Sequence, residues 1–209
     1  MNSLIFLAAG EGRRVGAGKN KMLISVKGKP LVWYSLKHVL QSTELDEIIL
    51  VTQEKERPEF EEVVRSFHTQ IPFIFANGGR TRSESVRNGL NRVSAASDKV
   101  LIHDGARPLV DGPFIDSVLN LVNEKIPAVV TGIPCVDTIK KVTPEGMVSM
   151  TLDRKELFRA QTPQGFYTPL FRKVVDSLSG DEKFTDDVSL FEYKGIPVKI
   201  IQGRNLFLK

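Results

Sequence analysis

The chain has 209 residues, 41% hydrophobic and 26% charged, which is enough to bury a full core and excludes both a disordered chain and a membrane-embedded one. Its net charge of +4 is spread along the sequence among interleaved acidic residues, with no polybasic or aromatic-basic tract. This favours small anionic ligands and argues against nucleic acid as a partner.

The first element expected is a buried strand. The apolar run from Ser3 to Ala9 has no basic segment before it and meets Glu11, Arg13 and Arg14 at once, so it reads as neither a signal peptide nor a membrane span. It leads directly into Ala8-Ala9-Gly10-Glu11-Gly12-Arg13-Arg14, with Lys21 close behind. Small residues at the carboxyl end of a strand let backbone N–H groups approach a polyphosphate, and the neighbouring cations neutralise it. The two familiar nucleotide loops fail here. A dinucleotide fingerprint starting at Gly10 would need its third glycine where Val15 stands, and a phosphate loop ending at Gly18-Lys19 would need glycine at Arg13 and a hydroxyl at Asn20.

Helical spacing follows Pro30 in Val32, Leu36, Val39 and Leu40. Short β-branched runs then recur at Ile48–Val51, Phe73–Phe75, Val100–Ile102 and Ala128–Val130 and predict buried parallel strands. Between the second and third of these, Gly78-Gly79 precedes Thr81 and Glu84, whose spacing is that of a capping box, so a helix is expected to start there. The exposed amides and the Ser85 hydroxyl at that helix start could read the edge of a pyrimidine. The run Val100–Ile102 ends in His103-Asp104-Gly105-Ala106-Arg107-Pro108, which places the Asp104 carboxylate where it can hold Mg²⁺ or a hydroxyl and Arg107 where it can grip a phosphate. His103 lacks partner histidines at matching spacing and reads as structural, and Asp111-Gly112-Pro113 starts a further helix through Phe114, Val118 and Val122.

The alternation breaks between Pro134 and Arg159, where Asp137–Val142 and Met147–Leu152 flank the turn Thr143-Pro144-Glu145-Gly146. An isolated hairpin of this composition is at best marginally stable, so a second subunit is expected to hold it. An amphipathic helix around Leu170–Leu178, another helix from Thr185 and a last strand at Val198–Ile201 complete the series. The expected fold is α/β: one Rossmann-like, doubly wound, mostly parallel sheet over residues 1–209 with a β-hairpin arm at 134–159. The single cysteine, Cys135, allows no internal disulfide, and His38, His68 and His103 are too scattered for zinc, so a reducing cytoplasm is expected.

The loop A-A-G-x-G-x-R followed by lysine resembles the signature loop of nucleotidyltransferases that activate sugars and sugar alcohols. With Gly78-Gly79-x-x-Arg82-x-x-Ser85-Val86, His103-Asp104-x-Ala106-Arg107-Pro108, Val136-Asp137-Thr138-Ile139-Lys140, Asp153-Arg154, Gln161-Thr162-Pro163-Gln164 and Thr185-Asp186-Asp187, the chain resembles the 2-C-methyl-D-erythritol 4-phosphate cytidylyltransferase family from Ala8 to Lys209. The resemblance implies CTP and a sugar-alcohol phosphate as substrates, with Mg²⁺ as cofactor. It implies that Ala8, Ala9, Gly10, Gly12, Arg14 and Lys21 bind the triphosphate, that Gly79 and Ser85 recognise cytosine, and that Arg14, Lys21 and Lys209 are catalytic. Asp104, also the expected metal ligand, and Ala106 belong to the nucleotide side, with Asp104 and Arg107 contacting the ribose or the acceptor. Thr162 and Thr185 complete the acceptor pocket, while Thr138 and Arg154 reach a neighbouring subunit's site from the arm of a homodimer. Three departures stand out: Asn20-Lys21-Met22 where the family has Pro-Lys-Gln, Phe207-Leu208-Lys209 where it has Asn-Ile-Lys, and a chain that stops where relatives continue, so a further tail is expected after Lys209. A ribitol 5-phosphate cytidylyltransferase shares the CTP motifs and is the nearest alternative. A dinucleotide-binding oxidoreductase or a non-catalytic Rossmann-like regulator is disfavoured by the failed fingerprint.

Overall fold

In the computed structural model, which describes residues 1–10, 20–177 and 184–209, the first apolar run forms β1 (Asn2–Leu7) with Ser3 to Phe6 buried. β4 (Glu47–Thr52) is buried along its whole length. Strands covered on both faces have no solvent side to mark with polar residues, which is why these runs are continuously apolar instead of alternating. Between the two, β2 (Ser25–Val26) and β3 (Lys29–Pro30) make a small hairpin that turns through Lys27 and Gly28, both at positive φ. α1 (Leu31–Val39) then buries Val32, Leu36 and Val39 as its spacing predicts.

The alternation continues through α2 (Arg57–Arg65), β5 (Phe73–Asn77), α3 (Arg82–Leu90), β6 (Lys99–Asp104), α4 (Gly112–Leu121) and β7 (Ala128–Pro134). Both predicted helix starts are capped. The Asp111 side chain accepts from Phe114 N at 3.0 Å, and Thr81 accepts from Glu84 N at 3.1 Å. The return arm of the second cap runs to Arg80 N, at 2.9 Å from Glu84 Oε2, one residue earlier than the capping-box pattern places it.

The arm follows as β8 (Lys140–Val142) and β9 (Val148–Thr151), a separate antiparallel pair that turns through Thr143 to Gly146. Val136, Val142, Met147, Val148 and Met150 are each half or more exposed. The chain ends with β10 (Phe158–Tyr167), α5 (Thr168–Asp176), α6 (Ser189–Tyr193) and β11 (Lys199–Gln202). α5 starts two residues before Leu170. α6 starts four residues after Thr185, because the backbone amides of Asp187 and Val188 are taken by the Gln164 Oε1 atom and that of Ser189 by Asp186.

The seven-stranded sheet has the order β11-β7-β10-β6-β1-β4-β5. β1, β4, β5 and β6 pair in parallel, as do β7 and β11, and β10 runs antiparallel between β6 and β7. This doubly wound, mostly parallel sheet is the expected class, and helices cover both faces. One apolar cluster joins the sheet to α1, α2 and α4 through residues such as Leu36, Phe60 and Val118; the other joins it to α3, α5 and α6 through Leu90, Phe171 and Phe191.

The antiparallel β10 was not anticipated. Its sequence, Phe-Arg-Ala-Gln-Thr-Pro-Gln-Gly-Phe-Tyr, carries proline, glycine and two glutamines where a central strand ordinarily carries β-branched residues. The pairing with β7 shifts register between Gln161 and Gln164, around the cis Thr162-Pro163 peptide. From β1 the chain winds outward through β4 to β5, then returns to the opposite side of β1 at β6. The two adjacent strands β1 and β6 thus lead in opposite directions, and such a switch leaves a crevice at their carboxyl ends. Among the described residues, no helix is long and apolar enough to cross a membrane.

Candidate active site at the carboxyl edge of the sheet

A cleft of about 920 Å³ occupies that crevice. Its floor is the end of β1 and the residues after it, Leu7 to Gly10, and the end of β6 and the turn after it, with Asp104 and Ala106 in the lining. Asn20 packs against the end of β1: its Nδ2 donates to Ala8 O at 2.7 Å, and its Oδ1 caps the 3-10 turn Lys21–Leu23 by accepting from Met22 N. Lys21, the first residue of that turn, lines the cleft. The carbonyl of Ala9 is likewise engaged, by Gln53 Nε2 at 2.9 Å. Both carbonyls at the end of β1 therefore already have amide donors, which tempers their repulsion toward an anion.

The opposite wall is the Gly78-Gly79 turn ahead of α3. A β-carbon on Gly78 would stand 2.4 Å from that of Ala9, and one on Gly79 would stand 2.4 Å from the Glu84 side chain, so only glycine lets this turn lie against β1 and the start of α3. The Ser85 hydroxyl accepts from Gly79 N and donates to Thr81 O, both at 2.9 Å. It shapes the turn and retains one acceptor lone pair for a ligand.

The electrostatic centre is Asp104. Lys209 Nζ lies 2.8 Å from its Oδ2, Arg107 Nε 3.8 Å from the same oxygen, and Arg82 3.5 Å from Oδ1. Burial alone would raise this carboxyl, but Arg82 and Lys209 outweigh it and hold the group below the usual carboxylate range. Arg82 also pairs with the buried Asp187 at 2.7 Å. Burial opposes the guanidinium charge, yet Asp187 and Asp104 together keep it above its ordinary value. Asp187 itself is pushed up to about 6 by burial against the pull of Arg82.

β10 anchors this arrangement from below. Thr162 Oγ1 accepts from Asp104 N at 3.0 Å and lies 3.2 Å from His103 Nδ1. Gln161 Nε2 donates to the carbonyls of Arg204 and Phe207, and Gln164 holds the Asp186–Val188 turn through both ends of its amide. His103 is fully buried beside Phe6, and burial lowers its pKa to about 4, so the ring is neutral and packs as a structural residue.

Of the residues singled out in the sequence, the structure brings Ala8, Ala9, Gly10, Lys21, Gly79, Ser85, Asp104, Ala106 and Lys209 into one cleft. Gly12 and Arg14 lie outside the described residues. Arg107 does not line the cleft, and its guanidinium donates to Phe207 O at 2.5 Å, tying down the segment that carries Lys209. Thr162 is buried beneath Asp104, and Thr185 is exposed away from the lining. Thr138 and Arg154 are exposed on the arm, where Arg154 donates to Val136 O, and neither reaches the cleft of its own chain. Sequence reasoning quoted Arg82 in a motif without giving it a role. Its signal was the pair of aspartates at 186 and 187, too far along the chain to be linked to it without a fold. Gln53, also in the lining, carried no signal at all.

A family model described as IspD, 2-C-methyl-D-erythritol 4-phosphate cytidylyltransferase, matches residues 3–209. The enzyme of that name from Prochlorococcus marinus (strain MIT 9515) is 40% identical over 203 residues, which cover 97% of this chain and 90% of the relative. That from Bacillus mycoides (strain KBAB4) is 39% identical over 204 residues, covering 97% and 89%. Among solved structures, the 4-diphosphocytidyl-2C-methyl-D-erythritol synthase of Anaerococcus prevotii superposes with a TM-score of 0.88 at 29% identity, over 100% of this chain and 89% of that one.

Proposed function

The chain belongs to the 2-C-methyl-D-erythritol 4-phosphate cytidylyltransferase family, and on that premise we propose how its cleft performs the family's reaction. The enzyme transfers the cytidylyl group of CTP to 2-C-methyl-D-erythritol 4-phosphate in isoprenoid precursor synthesis. An oxygen of the acceptor phosphate attacks the α-phosphorus in line, the bond from that phosphorus to the bridging oxygen breaks, and pyrophosphate leaves. Such a reaction needs no side-chain nucleophile. It needs two anionic substrates aligned and the charge on the pentavalent phosphorus offset.

The observation that carries this reading is the convergence of Lys21 and Lys209 on one cleft whose floor is Ala8 to Gly10 and whose wall is Gly78-Gly79. In the proposed arrangement the triphosphate lies over the end of β1, and the cytosine meets the Gly79 turn. Lys21, with Arg14 by resemblance, neutralises the transferring phosphate, while Lys209 and Asp104 face the acceptor or ribose. Magnesium ordinarily keeps several waters and binds through one or two carboxylates plus substrate phosphates. No group of three metal-ligating side chains occurs among the described residues, but Asp104 is a cleft carboxylate of the required kind. This donor set fits a magnesium ion carried mainly by the triphosphate, with Asp104 as its protein ligand. The ion's chemistry is to neutralise charge across the phosphate oxygens.

The homodimer and the cytoplasmic setting belong to the same proposal. The exposed apolar row on the arm supports the first, and the lone cysteine the second. In a dimer the arm's Thr138 and Arg154 would enter the partner's cleft and bind the acceptor phosphate. Arg154→Ala is then expected to raise KM for the acceptor. Mixing it with Lys21→Ala subunits should restore activity to a fraction of the sites, and no recovery at any ratio would exclude the contact in trans.

The decisive test is pyrophosphate release with each nucleoside triphosphate and either 2-C-methyl-D-erythritol 4-phosphate or ribitol 5-phosphate, alongside calorimetry of CTP with and without Mg²⁺. Turnover is expected with CTP and the methylerythritol phosphate, and CTP binding is expected to tighten with Mg²⁺. Preference for ribitol 5-phosphate, or absence of CTP binding with Mg²⁺ present, would overturn the assignment.

A further inference from the structure

We propose that Asn20 is the positioning residue for Lys21, holding the lysine in register with the end of β1; the inference rests on the role given to Lys21 above. Asn20 is 2% exposed, and its amide is almost fully used. Nδ2 donates to Ala8 O at 2.7 Å and to Glu56 Oε2 at 2.8 Å, while Oδ1 accepts from Met22 N at 3.0 Å. An amide has two donor hydrogens, and both are engaged. Each bond reaches a different part of the site's frame. Ala8 is fixed to the sheet by its own N–H, which donates to Val51 O at 2.8 Å, and Glu56 closes the 3-10 turn Glu54–Glu56 that leads into α2. Met22 adjoins Lys21 in the turn that begins at the lysine.

Lysine carries its charge on a flexible stem, so the backbone supplies most of the precision with which the ammonium meets a phosphate. Misplacing a catalytic group by about 1 Å can cost on the order of a hundredfold in rate. The Asn20 clamp sets that backbone from three directions. An apolar residue of similar size could fill the same volume, but it would strip Ala8 O, Met22 N and Glu56 of their partner beside the end of β1.

The test is a double-mutant cycle read in kcat and in KM for CTP, with circular dichroism melts to verify folding. Asn20→Ala is expected to lower kcat about tenfold while KM for CTP stays within about threefold, and to cause no further loss when added to Lys21→Ala. Glu56→Ala removes one of the three bonds; it should give a smaller loss, also confined to kcat, and it keeps the test open if Asn20→Ala does not fold. Asn20→Asp sets a second carboxylate against Glu56 and should be slower than Asn20→Ala, with E56Q partly rescuing N20D. An Asn20→Ala loss that persists in full on the Lys21→Ala background would show a structural role independent of the lysine and overturn the proposal. Wild-type kcat in both Asn20→Ala and Glu56→Ala, beside a slow Lys21→Ala, would remove the clamp and leave the role of Lys21 standing. Normal turnover by Lys21→Ala would remove both.

Discussion

Lys21→Ala is expected to lower turnover about a hundredfold, a loss of roughly 3 kcal/mol of transition-state stabilisation, comparable to deleting one oxyanion-stabilising donor. The size follows from where the lysine acts. CTP brings its triphosphate charge to the ground state already, where the magnesium ion proposed above would offset much of it. The charge that grows on the equatorial oxygens during transfer has no such prior partner. A cation that meets only this late charge lowers kcat when removed and leaves KM for CTP nearly unchanged. Lys21 lines the cleft from the first position of a turn capped by Asn20, beside the end of β1 where the triphosphate is proposed to lie. Steady-state pyrophosphate release over a range of CTP concentrations separates the two parameters. A raised KM with kcat intact would make Lys21 a binding residue and return the catalytic burden to the remaining cations.

The winding of the sheet is legible because β1, β4, β6 and β7 are buried on both faces and therefore read as continuous apolar runs, and the edge strand β5, though only partly buried, still carries the apolar run Phe73–Phe75. The cleft residues next to those runs are legible for the same reason: Ala8 to Gly10 follow β1 and Asp104 ends β6, both recognisable strands. Apolar periodicity does not show β10 itself or the contacts that its polar side chains make, although the Gln161–Gln164 motif stands within it. Three of its buried residues, Gln161, Thr162 and Gln164, are polar because each spends its side chain on another segment: the stretch leading to Lys209, the amide of Asp104, and the turn before α6. A polar residue buried to serve a distant partner looks in the sequence like a surface loop. The same blindness concealed what Arg107 does. Its charge suggested a phosphate grip, whereas in the fold its guanidinium closes on Phe207 O and the flank of Asp104. Only the fold, which brings together Arg107 and Phe207 from 100 residues apart, distinguishes the two uses.

The ion pair of Arg82, about a third exposed, with the buried Asp187 carries a stability effect that depends on pH. Arg82→Met keeps the aliphatic stem but leaves the buried Asp187 without its 2.7 Å partner, and breaking such a pair costs at most about 3 kcal/mol, reached once the carboxylate is charged in both proteins. The cost has a predictable pH dependence. Burial already raises the Asp187 carboxyl to about 6, against an unfolded value near 4. Because the folded value lies above the unfolded one, this group favours folding in acid, and that contribution is lost as pH rises through the folded pKa. Without Arg82 the folded pKa climbs further, so the loss extends into the neutral range for the variant while it is complete near pH 6 in the parent. Urea unfolding at pH 5 and pH 8 should therefore show a stability gap between the two proteins that is small in acid and grows toward about 3 kcal/mol in base. A gap that is constant with pH, or no larger than the roughly 0.5 kcal/mol typical of a surface pair, would mean that Asp187 does not depend on Arg82 for its charge.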